Sequence, residues 1–268
     1  LAYIYAYTTG GFMGDKLSIG NMEFTSRFMI GTGKFPSDEI MAQCLFVSGA
    51  EIITVAIRRV DLKKPDSDIL RVLDPKKIFI LPNTSGAQNA DEAVRLAMFA
   101  QQMGFSSWIK LEVTPDPRYL LPDPEETIKA ARILVKNGFT VLPYMNADPV
   151  LAKKLEDEGC AVVMPLGSPI GSNKGLTTID QIKIIIAQSN VPVVIDAGIG
   201  RPSDACLAME LGADACMINT AISSAPMPPL TARAFKLAIE AGRQAYLGGH
   251  AAKRDTARPS SPVDGISK

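Results

Sequence analysis

Trp108-Ile109-Lys110-Leu111-Glu112-Val113 is the stretch on which the fold turns. Its period-two alternation puts Ile109, Leu111 and Val113 on one face of a strand and Trp108, Lys110 and Glu112 on the other. In a barrel one face meets the covering helices, and the three aliphatic residues suit that role. Lys110 and Glu112 then point into the barrel interior near the C-terminal end of the strand, where active sites of that fold sit.

Outward from this strand, seven more short apolar runs recur: Phe28–Ile30, Glu51–Ile57, Ile78–Leu81, Thr140–Pro143, Ala161–Met164, Pro192–Ile195 and Ala215–Ile218. Helix-like stretches lie between them, from Ser37 onward and at Asn89–Met103, Asp123–Lys136, Asp148–Glu158, Thr178–Gln188, Ser203–Leu211 and Leu230–Tyr246. Asp123, Asp148 and Ser203 are expected as N-caps, with Pro124 and Pro149 where a missing N–H costs nothing. Strands alternating with helices imply a parallel sheet covered on its outer face, and eight such units close into a single-domain (β/α)8 barrel, the TIM-barrel fold. A doubly wound open sheet is the rival. The unit count and the absence of G-x-G-x-x-G after the first strand favour the barrel.

The 268 residues suit one barrel, expected over residues 15–247, with a disordered N-terminal extension at 1–14 and a flexible tail at 248–268. Met13 is a candidate initiator within that reading. Lysine plus arginine equals aspartate plus glutamate at 28 each, so no long-range field steers the chain toward nucleic acid or an anionic membrane. Cys44, Cys160, Cys206 and Cys216 contain no C-x-x-C pair, which argues against a zinc ribbon, a redox motif or a disulfide framework. A soluble intracellular chain is expected, with bacterial cytoplasm and plastid stroma equally compatible. His250 is the only histidine and sits in the tail, so histidine triads and histidine-metal chemistry have almost no material, and no metal site or cofactor is expected. Acid–base work falls to carboxylates and lysines.

A lysine held in a low-dielectric site has its pKa pushed down, toward the range where the amine attacks a ketone or aldehyde. The alternative is a Lys110–Glu112 pair that only satisfies itself. Asp196 ends the seventh strand ahead of Ala197-Gly198-Ile199-Gly200, where backbone N–H groups can meet a phosphate. The eighth strand ends in Asn219-Thr220, so the last two loops offer a barrel phosphate cradle. Asp196 as an ordinary helix cap is the competing reading. Gly167–Gly175 reads as a loop, either an anion nest or a plain connection. Gly31-Thr-Gly-Lys34 lacks the G-x-x-x-x-G-K-[ST] spacing and is not assigned to ATP. Arg58-Arg59 reads mainly as a solvated or interface pair, while Asn83 and Asn146 end strands on the active face.

Taken together, Gly31-Thr-Gly-Lys-Phe35, Val55-Ala-Ile-Arg-Arg59, Leu81-Pro-Asn-Thr84, Trp108-Ile-Lys-Leu-Glu112, Pro165-Leu-Gly-Ser-Pro-Ile-Gly171, Asp196-Ala-Gly-Ile-Gly200 and Asn219-Thr-Ala-Ile222 resemble the thiazole synthase family of thiamin biosynthesis. The resemblance runs from about Leu17 to the Ser260-Ser-Pro tail. It implies a reaction joining 1-deoxy-D-xylulose 5-phosphate, dehydroglycine and sulfur from a thiocarboxylated ubiquitin-like carrier protein into a thiazole phosphate carboxylate. It further implies a homo-oligomer, with a tetramer among the options. The family's imine-forming lysine falls on Lys110 and its acid–base carboxylates on Glu112 and Asp196. Its sugar-phosphate contacts fall on Gly171, Ala197, Gly198, Asn219 and Thr220. The rivals are a lysine-imine aldolase acting on another phosphosugar and a non-catalytic phosphosugar-binding subunit.

Overall fold

The computed structural model describes residues 14–59 and 78–261. The described chain opens with a hairpin, β1 (Leu17–Ile19) and β2 (Met22–Phe24), in which Ile19 pairs with Met22 across a two-residue Gly20-Asn21 turn. Gly20 sits at φ 54°, the left-handed geometry that lets so tight a turn follow the twist of its strands. The sequence reading missed this hairpin because strands of three residues carry too little alternation to register.

Eight parallel strands follow: β3 (Phe28–Gly31), β4 (Ile52–Ala56), β5 (Phe79–Asn83), β6 (Trp108–Leu111), β7 (Thr140–Met145), β8 (Met164–Pro165), β9 (Val194–Asp196) and β10 (Ala215–Ile218). Their spatial order is β8-β7-β6-β5-β4-β3-β10-β9. Parallel bridges from Val163 to Val193 and from Leu166 to Asp196 join the two ends of that order. The sheet therefore closes on itself as a (β/α)8 barrel of the TIM type, and the open doubly wound alternative is excluded.

The covering helices are α1 (Asp38–Ser48), α2 (Ala90–Gln102), α3 (Pro124–Lys136), α4 (Pro149–Asp157), α5 (Ile179–Gln188), α6 (Pro202–Glu210), the short α7 (Thr220–Ser223) and α8 (Pro228–Gly248). Ser37, Asn89, Asp123 and Asp148 cap α1 to α4, each accepting a hydrogen bond from an N–H of the first turn. The expected cap at Ser203 is corrected: α6 begins at Pro202, and Asp204 Oδ2 reaches back to the N–H groups of Gly200 (3.0 Å) and Arg201 (2.8 Å). The proline sets the start two residues earlier, where its missing N–H is harmless.

Two apolar layers result. Ile109, Leu111 and Val113 pack outward with Ile53, Val141, Ile195 and Cys216 against buried residues of the helices, including Ala97, Leu134, Leu155 and Phe235. Inside the barrel, Met29, Ile52, Leu81, Trp108, Leu142, Met164, Val194 and Met217 form a second cluster, which the hairpin residues Leu17, Ile19 and Phe24 complete. Phe24 meets Trp108 and Phe79 edge-on at 6.2 and 6.0 Å. Since Trp108 begins β6, the hairpin stoppers the N-terminal end of the barrel. Asp15 holds it in place, bonding Arg27 at 2.7 Å and Arg243 of α8 at 2.7 and 2.9 Å. The Arg243 hydrogen bond leads the causes that keep the Asp15 carboxyl below its ordinary range.

All four cysteines are free, Cys44, Cys160 and Cys216 buried and Cys206 half-buried. Apart from Gly14, the extension assigned to 1–14 lies outside the described residues. Residues 249–261 follow α8 as an exposed stretch without helix or strand. No described helix is long and apolar enough to cross a membrane.

Candidate active site

At the C-terminal end of the barrel a cavity of about 360 Å³ collects all eight residues singled out in the sequence: Lys110, Glu112, Asp196, Gly171, Ala197, Gly198, Asn219 and Thr220. β6 delivers Lys110 from inside the barrel, and Glu112 follows one step beyond the strand. Thr84 fixes that step from both sides: its hydroxyl donates to Glu112 O at 2.8 Å and accepts from Glu112 N at 2.8 Å. Thr84 ends the Leu81–Thr84 motif, and nothing in that motif's sequence signals this bond.

Lys110 Nζ lies 2.5 Å from Glu112 Oε1 and 2.7 Å from Asp196 Oδ2, with all three side chains at most 8% exposed. The Glu112 contact is a well-formed hydrogen bond. The Asp196 contact is a close ion pair, and Lys110 is the partner that Asp196 Oδ2 has. Such an oxygen is available to take a proton. Asp196 points at Lys110 and caps no helix.

The expected depressed lysine is corrected. Burial alone would lower the Lys110 pKa, but the charges of Asp196 and Glu112 outweigh it and the net shift is upward. The resting side chain is an ammonium clamped between carboxylates. Asp196 is displaced the other way from most aspartates: burial, reinforced by the Glu112 charge and opposed by Lys110, raises its carboxyl above the ordinary range. Both carboxylates lie within 3 Å of Lys110 Nζ, so a proton can pass between the lysine and either of them.

The mouth loops after β8 and β9 are interlocked. Gly167 N–H donates to Ala197 O at 3.2 Å and Gly175 N–H to Gly198 O at 2.8 Å. Gly167–Gly175 is therefore part of the cavity wall, contributing Ile170, Gly171 and Asn173. Asn219 brings a buried Oδ1 without a hydrogen-bond partner to the same wall. Among the described residues, the non-glycine positions with left-handed φ are Lys34, Leu120, Asn173 and Ala197 (66°, 52°, 52° and 66°), and all line this mouth. Left-handed backbone costs an ordinary residue about 1–2 kcal/mol, and its concentration here marks a surface shaped for a ligand.

Other candidates separate. Asn83 lies inside, its Oδ1 accepting from Ser85 N–H at 3.1 Å beside Lys110 in register. Gly31–Lys34 also lines the cavity. Asn146 instead ties down a loop, donating from Nδ2 to Pro122 O at 3.1 Å. Arg58 turns away and pairs with Glu92 at 3.1 Å, while the Arg59 side chain lies outside the described residues. Tyr144, not singled out in the sequence, is wholly buried with Lys110 Nζ 5.3 Å above its ring. Continuing the period-two alternation of β7 through Leu142 finds it.

The pattern of the Thiazole biosynthesis protein ThiG family matches residues 18–262. The chain belongs to this thiazole synthase family. The family is an enzyme family of thiamin biosynthesis, and its members cover this chain almost end to end. Thiazole synthase 1 of Syntrophotalea carbinolica is 58% identical over 252 residues, covering 94% of this chain and 98% of that protein. Thiazole synthase of Syntrophobacter fumaroxidans is 58% identical over 254 residues, covering 95% and 99%. Among solved structures, the Amycolatopsis orientalis BexX/CysO complex contains a similar chain at a TM-score of 0.80 and 31% identity, covering 90% of this chain and 98% of that one.

Proposed function

We propose that this thiazole synthase condenses 1-deoxy-D-xylulose 5-phosphate with dehydroglycine and carrier-borne sulfur through an imine on Lys110. The observation that carries the proposal is the Lys110 ammonium held between Glu112 and Asp196 at a barrel mouth. An ammonium is no nucleophile, so its proton must leave first. Asp196 is the acceptor: burial has raised its proton affinity, and its Oδ2 lies 2.7 Å away. The freed amine adds to the ketone carbon, and the proton on Asp196 returns to the carbinolamine hydroxyl as water departs.

The resulting imine draws charge from the adjoining C–H bond, and Glu112, on the other side of Nζ, is placed to remove that proton. Two carboxylates on either side of Nζ supply the acid–base work that a site without histidine needs. The phosphate lies against Gly171, Ala197, Gly198, Asn219 and Thr220. Backbone N–H groups of these loops are suited to that anion, and of the Asn219 amide only Nδ2 can donate to it. The sulfur donor is the thiocarboxylated C-terminus of a ubiquitin-like carrier protein entering the same mouth. The similarity to a chain of the BexX/CysO complex supports a protein partner of that kind. We place the enzyme in the cytoplasm, or the stroma in a plastid, as a homo-oligomer.

The test is incubation with 1-deoxy-D-xylulose 5-phosphate and borohydride, followed by intact-mass and peptide mapping. A reduced adduct on Lys110 is expected. Bound sugar phosphate without an adduct would favour a binding subunit instead. Asp196→Asn keeps the geometry but removes the proton store. It is expected to accumulate adduct about tenfold or more slowly and to slow turnover at least as much; parent-like rates would reduce Asp196 to a counter-charge.

A further inference from the structure

β7 carries a side chain that touches neither the cavity nor solvent yet reaches three parts of the site. The Tyr144 ring lies beneath Lys110 Nζ, 5.3 Å from ammonium to centroid. Its hydroxyl donates to Leu120 O at 3.3 Å, and the Ile170 N–H faces the same oxygen. Leu120 comes from the loop after β6 and Ile170 from the loop after β8, and both line the cavity.

Two residues further along, Asn146 Nδ2 donates to Pro122 O at 3.1 Å. Tyr144 inside the barrel and Asn146 just past the end of β7 thus grip alternate carbonyls of one loop. At the first grip Leu120 is held at φ 52°, a conformation leucine does not keep without outside restraint. Burial, assisted by the charges of Asp196 and Glu112, pushes the Tyr144 phenol up, so it remains a protonated donor.

We propose that Tyr144 is a positioning residue for this reaction: its hydroxyl sets the loop after β6 over Lys110, and its ring face favours the protonated form of the lysine imine. The second half rests on the imine reading of Lys110. A protonated imine keeps its positive charge at Nζ, whereas a neutral imine has none, so an aromatic face beneath that nitrogen favours the cationic, electrophilic form.

Tyr144→Phe removes the latch and keeps the ring; Tyr144→Leu removes both. Steady-state kinetics with 1-deoxy-D-xylulose 5-phosphate varied, and borohydride trapping across pH, separate the two roles. Tyr144→Phe is expected to raise KM about tenfold with kcat within about threefold and the pH profile of trapping unchanged. Tyr144→Leu is expected to repeat the KM change and to move the alkaline limb of trapping to lower pH. Asn146→Ala, which loosens the same loop without entering the barrel, is expected to raise KM in the same direction.

A parent protein that binds the sugar phosphate but traps no adduct on Lys110 overturns the imine reading itself. With trapping intact, parent-like KM in both Tyr144→Phe and Asn146→Ala overturns the latch, as does an equal fall in kcat and kcat/KM accompanying a lower Tm. Alkaline limbs that coincide in Tyr144→Phe and Tyr144→Leu overturn the role of the ring.

Discussion

Lys110→Ala is expected to lose the borohydride-trappable adduct entirely and to lower product formation by at least about 10³-fold, since no second amine stands within the triad to replace it. The same substitution removes the cation from between two carboxylates that are 8% and 7% exposed. Breaking a buried pair from one side costs about 3–5 kcal/mol. The loss has a defined pH dependence. Asp196 already has a raised pKa from burial, and without Lys110 it loses the charge that opposed that rise. A carboxyl whose folded pKa exceeds its unfolded value contributes most below the unfolded pKa, and that contribution is lost as pH rises through the folded one. The stability gap between parent and variant should therefore narrow from pH 8 toward pH 5 in urea titrations. Full product formation by Lys110→Ala would remove the lysine from the chemistry. A gap independent of pH would show that the two carboxylates are not what destabilises the variant.

Gly198→Ala is the second large effect, and it acts through the backbone. Gly198 has φ 78°, and a Cβ there would stand 2.0 Å from Ser168 Oγ, 2.4 Å from Ser168 N and 2.6 Å from Ser168 O. A hydroxyl can rotate away, but the two backbone atoms belong to the loop interlocked with this one. The left-handed conformation costs about 1–2 kcal/mol and the overpacking about 1–3 kcal/mol more, so a loss of about 3 kcal/mol is expected in thermal or urea unfolding. Moving the loops apart also spoils the phosphate cradle. Loss of one charge-assisted hydrogen bond weakens sugar-phosphate binding roughly 10- to 100-fold, measurable by calorimetric titration. Ala197→Gly next door keeps the same φ, 66°, and removes a strained side chain. It is expected to change stability by less than about 1 kcal/mol. If Gly198→Ala melts and binds like the parent, the interlock is not what shapes the cradle.

The sequence carried the barrel because its signals are repetitive. Eight apolar runs separated by capped helices leave few ways to fold, and the alternation around Lys110 gave the direction of both ionisable side chains correctly. Position along the chain then brought Asp196 and the two terminal loops to the same mouth. Charge state was not legible in the same way: burial and pairing act on Lys110 with opposite signs, and only the 2.5 and 2.7 Å separations decide that pairing prevails. Thr84, Leu120 and Tyr144 were missed for a related reason. Thr84 acts through hydrogen bonds to the backbone of Glu112 and Leu120 through its own carbonyl, contacts that leave no period or spacing to read, whereas the β7 alternation reaches Tyr144 but says nothing of its bond to Leu120. The family resemblance supplied the chemical identity of the substrates, which neither alternation nor spacing contains.

The hairpin at Leu17–Phe24 also bears on the order of events. With the far end of the barrel stoppered by Leu17, Ile19 and Phe24, traffic to Lys110 among the described residues runs through a single doorway. Whatever enters last stands between the earlier arrival and solvent, so it must be the first to go. A bulky protein seated across that doorway would imprison a small molecule already inside, making the barrel a chamber with a strict last-in, first-out rule.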